Sequence, residues 1–82
     1  MTDGEILAAI GILAREKLDW PGALAPELRL VEDLALDSLR RLTLAVEVEN
    51  TFRVRLDEGE EAGIETVGEL VAAVRRKLGG VP

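Results

Sequence analysis

The chain of 82 residues carries 10 basic and 16 acidic side chains, and its net charge of −6 disfavours nucleic acid and anionic membranes as partners. Cysteine and histidine are both absent, which excludes disulfides, thiol nucleophiles, Cys/His zinc sites and histidine acid–base catalysis. This length predicts a single domain, 1–82, without room for a deep catalytic cleft, and no apolar run approaches the roughly 20 residues that span a membrane.

The first predicted element is a helix over residues 3–18. Thr2 and Glu5 have the spacing of a capping box, and apolar residues follow at helical intervals. Pro21 cannot continue a helix, so a connection of about 18 residues is predicted before the next helix. A loop of that length is usually functional or disordered. We expect an ordered loop, because six of its apolar residues can pin it to the helices: Leu24, Leu28, Leu30, Val31, Leu34 and Leu36.

A second helix is predicted from Ser38 to about Arg53. Asp37 and Ser38 are both good cap residues, and an apolar-periodic run follows them. That helix has two apolar stripes, of which the first is assigned to the core: Leu44, Ala45, Val48 and Phe52. The second consists of Leu39, Leu42 and Val46, and its line continues through Glu49 and Arg53. A helix that is apolar on two sides is either sandwiched or keeps one stripe for a partner, and the position of the second stripe beside Ser38 favours a partner.

The rest of the chain predicts one short and one longer helix. After an extended connector at 54–56, Asp57 caps a short acidic turn that runs through Ala62, and Gly63 ends it. Thr66 and Glu69 form a second capping box, and Gly79-Gly80 ends the last helix. The apolar stripe of this helix is Val67, Leu70, Val71, Val74 and Leu78. The predicted fold is therefore all-α, a small four-helix bundle with three main helices, one short helix and a long loop between the first two.

The stretch Leu30-Val31-Glu32-Asp33-Leu34-Ala35-Leu36-Asp37-Ser38-Leu39 resembles the attachment segment of acyl carrier proteins, whose core motif is Asp-Ser-Leu. The likeness continues through the apolar spacing of the second helix and into Ile64-Glu65-Thr66-Val67-Gly68-Glu69-Leu70, so by motif it covers about residues 28–75. The resemblance implies that Ser38 carries a covalent 4′-phosphopantetheine, whose thiol holds acyl groups as thioesters. It implies a carrier rather than an enzyme, and the arm supplies the reactive sulfur that the cysteine-free chain lacks.

By the same resemblance, Asp37 helps to place metal at the active site of the enzyme that attaches the arm. Leu39, Leu42 and Val46 are then the docking stripe for partner enzymes. The implied partners are a phosphopantetheinyl transferase, an acyl-loading ligase or acyltransferase, and a ketosynthase or another acyl-processing enzyme. We expect a monomer without membrane insertion. The expected location is the cytoplasm, because the N-terminus lacks the layout of a signal peptide.

This chain departs from the family pattern in three places: at the pair Arg40 and Arg41, at Ala35, and at Thr43, which occupies a position that is often acidic. Arg40 and Arg41 place two cations in the first turn of the second helix, where the helix dipole disfavours them, and a phosphate on Ser38 would offset that cost. Residues 37–56 carry 4 basic and 3 acidic groups, net +1, although this helix is the usual acidic recognition surface in fatty-acid carriers. We therefore count Arg40, Arg41 and Glu49 with the docking residues and expect a specialised fatty-acid, polyketide or lipid carrier. Arg41 is also predicted to project towards the core and to obstruct or hydrogen-bond a cargo between the helices. Ala35 stands where glycine is common, which is expected only to stiffen the loop.

Other interpretations stay open from the sequence. The chain could be an aminoacyl or peptidyl carrier, or a carrier-like interaction module that is never modified. Ser38 could be a helix cap and nothing more, and the Leu39 stripe could be core against the long loop. Glu32 and Asp33 are expected to be solvated loop charges rather than a catalytic pair, because neighbours on a loop give no control over their separation.

Overall fold

A computed structural model describes residues 2–79, and this part of the chain is all-helical, with four helices and no strand. Helix α1 spans Asp3–Leu18, α2 spans Ser38–Phe52, α3 spans Glu58–Gly63 and α4 spans Val67–Gly79. Helix α1 packs against both α2 and α4. The predicted all-α bundle is therefore confirmed. None of the helices in the described part of the chain combines the length and apolar content that crossing a bilayer requires.

Both predicted capping boxes are present. At α1, the Thr2 hydroxyl accepts from the Glu5 N–H at 3.2 Å, and the Glu5 carboxylate accepts from the Thr2 N–H at 2.8 Å. At α4, the Glu69 carboxylate accepts from the backbone N–H of Thr66 at 3.0 Å and from that of Glu65 at 2.9 Å. These backbone hydrogen bonds favour the ionised carboxylates and so lower the pKa values of Glu5 and Glu69. The caps satisfy amides of the first helical turn, which have no partner inside a helix.

Helix α3 starts with a third capping box, which the sequence analysis did not identify. The Asp57 carboxylate accepts from the Glu60 N–H at 2.8 Å, and the Glu60 carboxylate accepts from the Asp57 N–H at 3.3 Å. The Lys77 ammonium lies 2.8 Å from the Glu60 carboxylate and, together with the Asp57 amide, lowers its pKa. The helix was predicted to run through Ala62, which is one residue too short, because Gly63 is still helical and Ile64 is the C-cap.

The end of α4 differs from the prediction. Leu78, assigned to the buried stripe, is exposed. The Arg75 guanidinium lies 3.0 Å from the carboxylate of Asp3, the first residue of α1. Leu78 follows this ion pair in the last turn of α4, where its side chain stays in contact with solvent. Gly80, predicted to end the helix with Gly79, lies outside the described residues.

Three backbone hydrogen bonds tie the loop between α1 and α2 to the beginning of α4. The pairs are Gly68 N with Pro26 O, Val67 N with Leu28 O, and Leu30 N with Glu65 O, each at 2.9 Å. The first two bonds satisfy amides in the first turn of α4 that the helix itself cannot satisfy. The long loop is therefore ordered, as predicted, and it holds α4 in place.

The apolar residues of this loop close one side of the core. Leu24, Leu30, Leu34 and Leu36 are buried. Val31 was expected to join them but is half exposed. The chain turns sharply here, since the N–H groups of Asp33 and Leu34 both donate to the Arg29 carbonyl. Val31 is one of the residues that form this turn, and its side chain lies on the outer side, in contact with solvent.

Candidate functional site

Helix α2 begins at Ser38, one residue after its cap. Asp37 has extended backbone, and its Oδ1 accepts from the Arg40 N–H at 2.8 Å. Asp37 is therefore the N-cap, a role that the sequence left open between Asp37 and Ser38. The Ser38 hydroxyl takes no part in the cap and lies exposed at the positive end of the helix dipole. Ser38 is also the only serine in the chain.

The turn that leads into α2 is folded around Asp33. Its carboxylate accepts from the Arg29 N–H at 2.7 Å, and that backbone hydrogen bond is the main reason why its pKa is lowered. The Arg29 guanidinium also forms an exposed ion pair with Glu32 at 2.9 Å. Glu32 is therefore a surface charge, as expected. Asp33 is more than that, because its carboxylate organises the turn that precedes Ser38.

Ala35 has left-handed backbone, with φ at 56°. The expectation that alanine here only stiffens the loop is therefore wrong, because this region favours glycine and disfavours a residue with a Cβ atom. The neighbours Leu34 and Leu36 are both buried, and the Leu36 N–H donates to the Leu30 carbonyl at 3.1 Å. Burial and hydrogen bonding on either side hold Ala35 in a strained conformation three residues before Ser38.

The two apolar stripes of α2 lie in different environments. Leu44, Ala45, Val48 and Phe52 are buried, as predicted. The second stripe is in contact with solvent, since Leu39 is 72% exposed, Leu42 52% and Val46 41%. That exposure rules out the alternative in which this stripe packs under the long loop. Glu49 does not simply extend it, because its carboxylate accepts from the Leu56 N–H at 2.8 Å and so holds the connector between α2 and α3.

Arg40 and Arg41 leave α2 towards different elements. Arg40 Nη1 lies 3.4 Å from the carbonyl oxygen of Leu18, at the negative end of α1. Arg41 Nη2 donates to the carbonyl of Ile64, the cap residue of α3, at 3.3 Å and is partly buried. The prediction that Arg41 projects towards the core side is confirmed. Each guanidinium meets a carbonyl that offsets its unfavourable position at the start of α2.

A groove of about 460 Å³ opens beside Ser38. Its lining is Ser38, Arg41, Leu42, Glu61 and Ala62. This site fits a phosphate-linked arm, because the helix dipole and a guanidinium favour the phosphate while Leu42 and Ala62 offer apolar surface to the rest. From the sequence, Glu61 and Ala62 belong to an acidic turn and have no predicted role in the site. Their place in the groove depends on the path of the connector between α2 and α3, for which the sequence has no local signal.

Comparison with known proteins places this geometry in context. A family described as "Phosphopantetheine attachment site" matches residues 9–74. Over 77 residues the chain is 34% identical to the meromycolate extension acyl carrier protein of Mycobacterium tuberculosis, covering 93% of this chain and 67% of that protein. It is 33% identical over 76 residues to the acyl carrier protein of Thermotoga maritima, covering 92% and 94%. The crystal structure of the Thermotoga maritima acyl carrier protein has a TM-score of 0.86 to this chain at 25% identity, covering 98% of this chain and 94% of that one.

Proposed function

Since the chain belongs to the acyl carrier proteins of the phosphopantetheine-binding superfamily, we propose that Ser38 is the residue to which its covalent 4′-phosphopantetheine is attached. The protein is a carrier of acyl thioesters and not itself an enzyme. The observation that carries the assignment is the position of the only serine, exposed at the start of α2 and outside the helix cap. The groove of about 460 Å³ beside it offers the Arg41 guanidinium and the apolar surface of Leu42 and Ala62 to the arm.

Attachment would join the Ser38 oxygen to the phosphorus of the arm. The hydroxyl proton would pass to a base of the phosphopantetheinyl transferase, and the rest of the phosphopantetheine donor would leave. Asp37 keeps its place as the cap through Oδ1, and its second carboxylate oxygen is outside that hydrogen bond. We assign that second oxygen to the metal of the transferase active site. The bound arm then supplies the thiol that carries the acyl group.

The exposed stripe of Leu39, Leu42 and Val46 is proposed as the surface that partner enzymes contact. Single exposed apolar residues are common on soluble proteins, but several large ones side by side on one helix indicate an interaction site. The stripe starts next to Ser38, so an enzyme that acts on the arm must lie close to it. Its proposed occupants are the transferase, an acyl-loading ligase or acyltransferase, and a ketosynthase or another acyl-processing enzyme.

The cargo is proposed to be an acyl group of a specialised lipid pathway. A relative named for meromycolate extension and the net charge of +1 on residues 37–56 both support this choice over a general fatty-acid carrier. The proposed location is the cytoplasm, and the proposed oligomeric state is the monomer. The proposal assigns the cargo to acyl groups, because the relatives at 33–34% identity are acyl carrier proteins.

The attachment site can be tested by intact-mass measurement after co-expression with a broad-specificity phosphopantetheinyl transferase. We expect one added phosphopantetheine on the natural chain and none on Ser38→Ala. The matched control is Thr43→Ala, which removes another hydroxyl of α2 and should leave the mass increase unchanged. A mass increase that survives Ser38→Ala would disprove the assignment, and an unmodified natural chain would favour an interaction module.

The docking stripe can be tested by the rate of the same modification. Leu42→Glu should slow it at least about fivefold, since interface residues that matter contribute more than roughly 1 kcal/mol. Ile12→Glu is the matched control, because Ile12 is 56% exposed on α1, close to the 52% of Leu42. Equal rates for the two variants would show that the stripe does not contact the transferase.

A further inference from the structure

Arg41 and Glu61 line two spaces, the groove beside Ser38 and a second, internal cavity. The other residues around the internal cavity are apolar: Leu30, Leu44, Ala45, Leu56, Ile64 and Leu70. The two shared residues therefore lie at the boundary between the open groove beside Ser38 and the apolar interior between α2 and α3. A cargo on the arm of Ser38 would have to pass this boundary to reach the core.

Physical chemistry favours such a passage unless something prevents it. Each methylene of an acyl chain that moves from water to an apolar environment gains free energy. The internal cavity measures about 30 Å³. A space of that size holds a water-sized molecule or two and no acyl chain. Entry would therefore require α2 and α3 to separate.

Arg41 opposes that separation. Its guanidinium is partly buried and donates to the carbonyl of Ile64 at 3.3 Å, so it links α2 to the residue that caps α3. Arg41 is also one helical turn after Ser38, which puts both side chains on the same face of α2. An entering chain would have to break this bond and replace a hydrogen-bonded cation with methylenes at the boundary.

We propose that Arg41 is a specificity-determining residue that closes the interior to cargo, so that this carrier holds its acyl group in the outer groove beside Ser38. The inference rests on the proposed attachment of the arm at Ser38. A longer acyl chain is then no better shielded from solvent than a shorter one. The carrier suits short or polar acyl groups, and chains that pass to the next enzyme while in contact with solvent.

The experiment compares the phosphopantetheine form with its hexanoyl and octanoyl thioesters. In the natural chain, the NMR methyl signals of Leu44 and Leu70 should not move on acylation, while those of Leu42 should. The melting temperature should be the same for both chain lengths. Arg41→Leu should open the interior, so that the octanoyl form, with two more buried methylenes, melts roughly 6–13 °C above the hexanoyl form.

Arg40→Leu is the matched control. It removes the same charge one residue earlier, but the Arg40 guanidinium is directed to the Leu18 carbonyl and not to the boundary. This variant should behave like the natural chain. Each variant is compared with its own unacylated form, so a change in its basal stability does not affect the result.

Several results would overturn the inference. Movement of the Leu44 and Leu70 signals in the octanoylated natural chain would do so without any variant, even if Arg41→Leu failed to fold. A folded Arg41→Leu protein whose melting temperature is independent of chain length would also do so. If the mass spectrum showed no attached arm, the proposed attachment at Ser38 would fail together with this inference. The other two results leave the attachment intact, so failure of the inference alone can be distinguished from failure of the proposed function.

Discussion

Replacing Ala35 by glycine should stabilise the fold, although it removes a methyl group. The backbone at Ala35 has φ at 56°, and left-handed geometry costs a residue with a Cβ atom roughly 1–2 kcal/mol. Glycine avoids that cost but gives the unfolded chain more freedom, which is worth about 0.4–1 kcal/mol in the opposite direction. Ala35 is exposed, so little packing is lost. The expected net gain is about 0.5–1 kcal/mol, or about 2–8 °C in Tm for a domain of this size.

The same chemical change elsewhere should have the opposite sign. Ala8 is exposed in the middle of α1, where glycine costs about 1 kcal/mol relative to alanine. Urea unfolding followed by far-UV circular dichroism would measure both variants, and an unchanged dependence on urea concentration would show that stability alone has changed. If Ala35→Gly destabilised the protein as much as Ala8→Gly, the left-handed strain before Ser38 would be refuted.

Three further results are expected. Asp37→Ala should lower the free energy of unfolding, measured in urea, by about 1 kcal/mol, because the helix loses its cap. Asp37→Asn keeps a capping side chain, so it should leave that free energy nearly unchanged and reduce only the rate of phosphopantetheine attachment. Gly68→Ala should destabilise the fold by roughly 1–3 kcal/mol, because the new methyl would lie 3.1 Å from the Pro26 carbonyl oxygen. Gly11→Ala should stabilise it, because a methyl there meets nothing within 4 Å and alanine is the better helix former. Thermal unfolding that ranks the two variants the other way would contradict the contact between the loop and α4. Four carboxylates have lowered pKa values in the folded protein, so they stabilise the fold above their ordinary pKa values and lose that contribution as the pH falls through their pKa values in the fold. The free energy of unfolding, measured in urea, should therefore decrease below about pH 5. A free energy of unfolding that is unchanged at about pH 3 would contradict this expectation.

The helices were predictable because their signals are local. Capping boxes at Thr2 and Thr66 mark where α1 and α4 begin, and the cap residue Asp37 marks the start of α2. The 3.6-residue spacing of apolar side chains indicates which faces are buried. The position of Ser38 and the exposed stripe followed from the same spacing together with the family resemblance. These features need no knowledge of the path of the chain in space.

The missed features depend on contacts between segments that are distant in sequence or on the shape of a loop. The left-handed backbone of Ala35 arises because buried leucines on both sides fix the turn. Glu49 lies on the predicted stripe, but the return of the connector brings the Leu56 amide to its carboxylate. The direction of Arg41 was predictable from the angle of the helix, whereas its partner, the Ile64 carbonyl, depends on where α3 ends.

The two arginines after Ser38 contribute differently to the surface that a partner enzyme meets. Arg41 is partly buried and is bonded to the Ile64 carbonyl, so its charge acts mainly at the boundary of the interior. Arg40 is exposed, and its bond to the Leu18 carbonyl is long, at 3.4 Å. A partner with acidic side chains can therefore engage the Arg40 guanidinium without disturbing the bundle. If the positive start of α2 selects dedicated partners, Arg40 is therefore the residue that would carry this selection, whereas the proposed closure of the interior to cargo depends on Arg41.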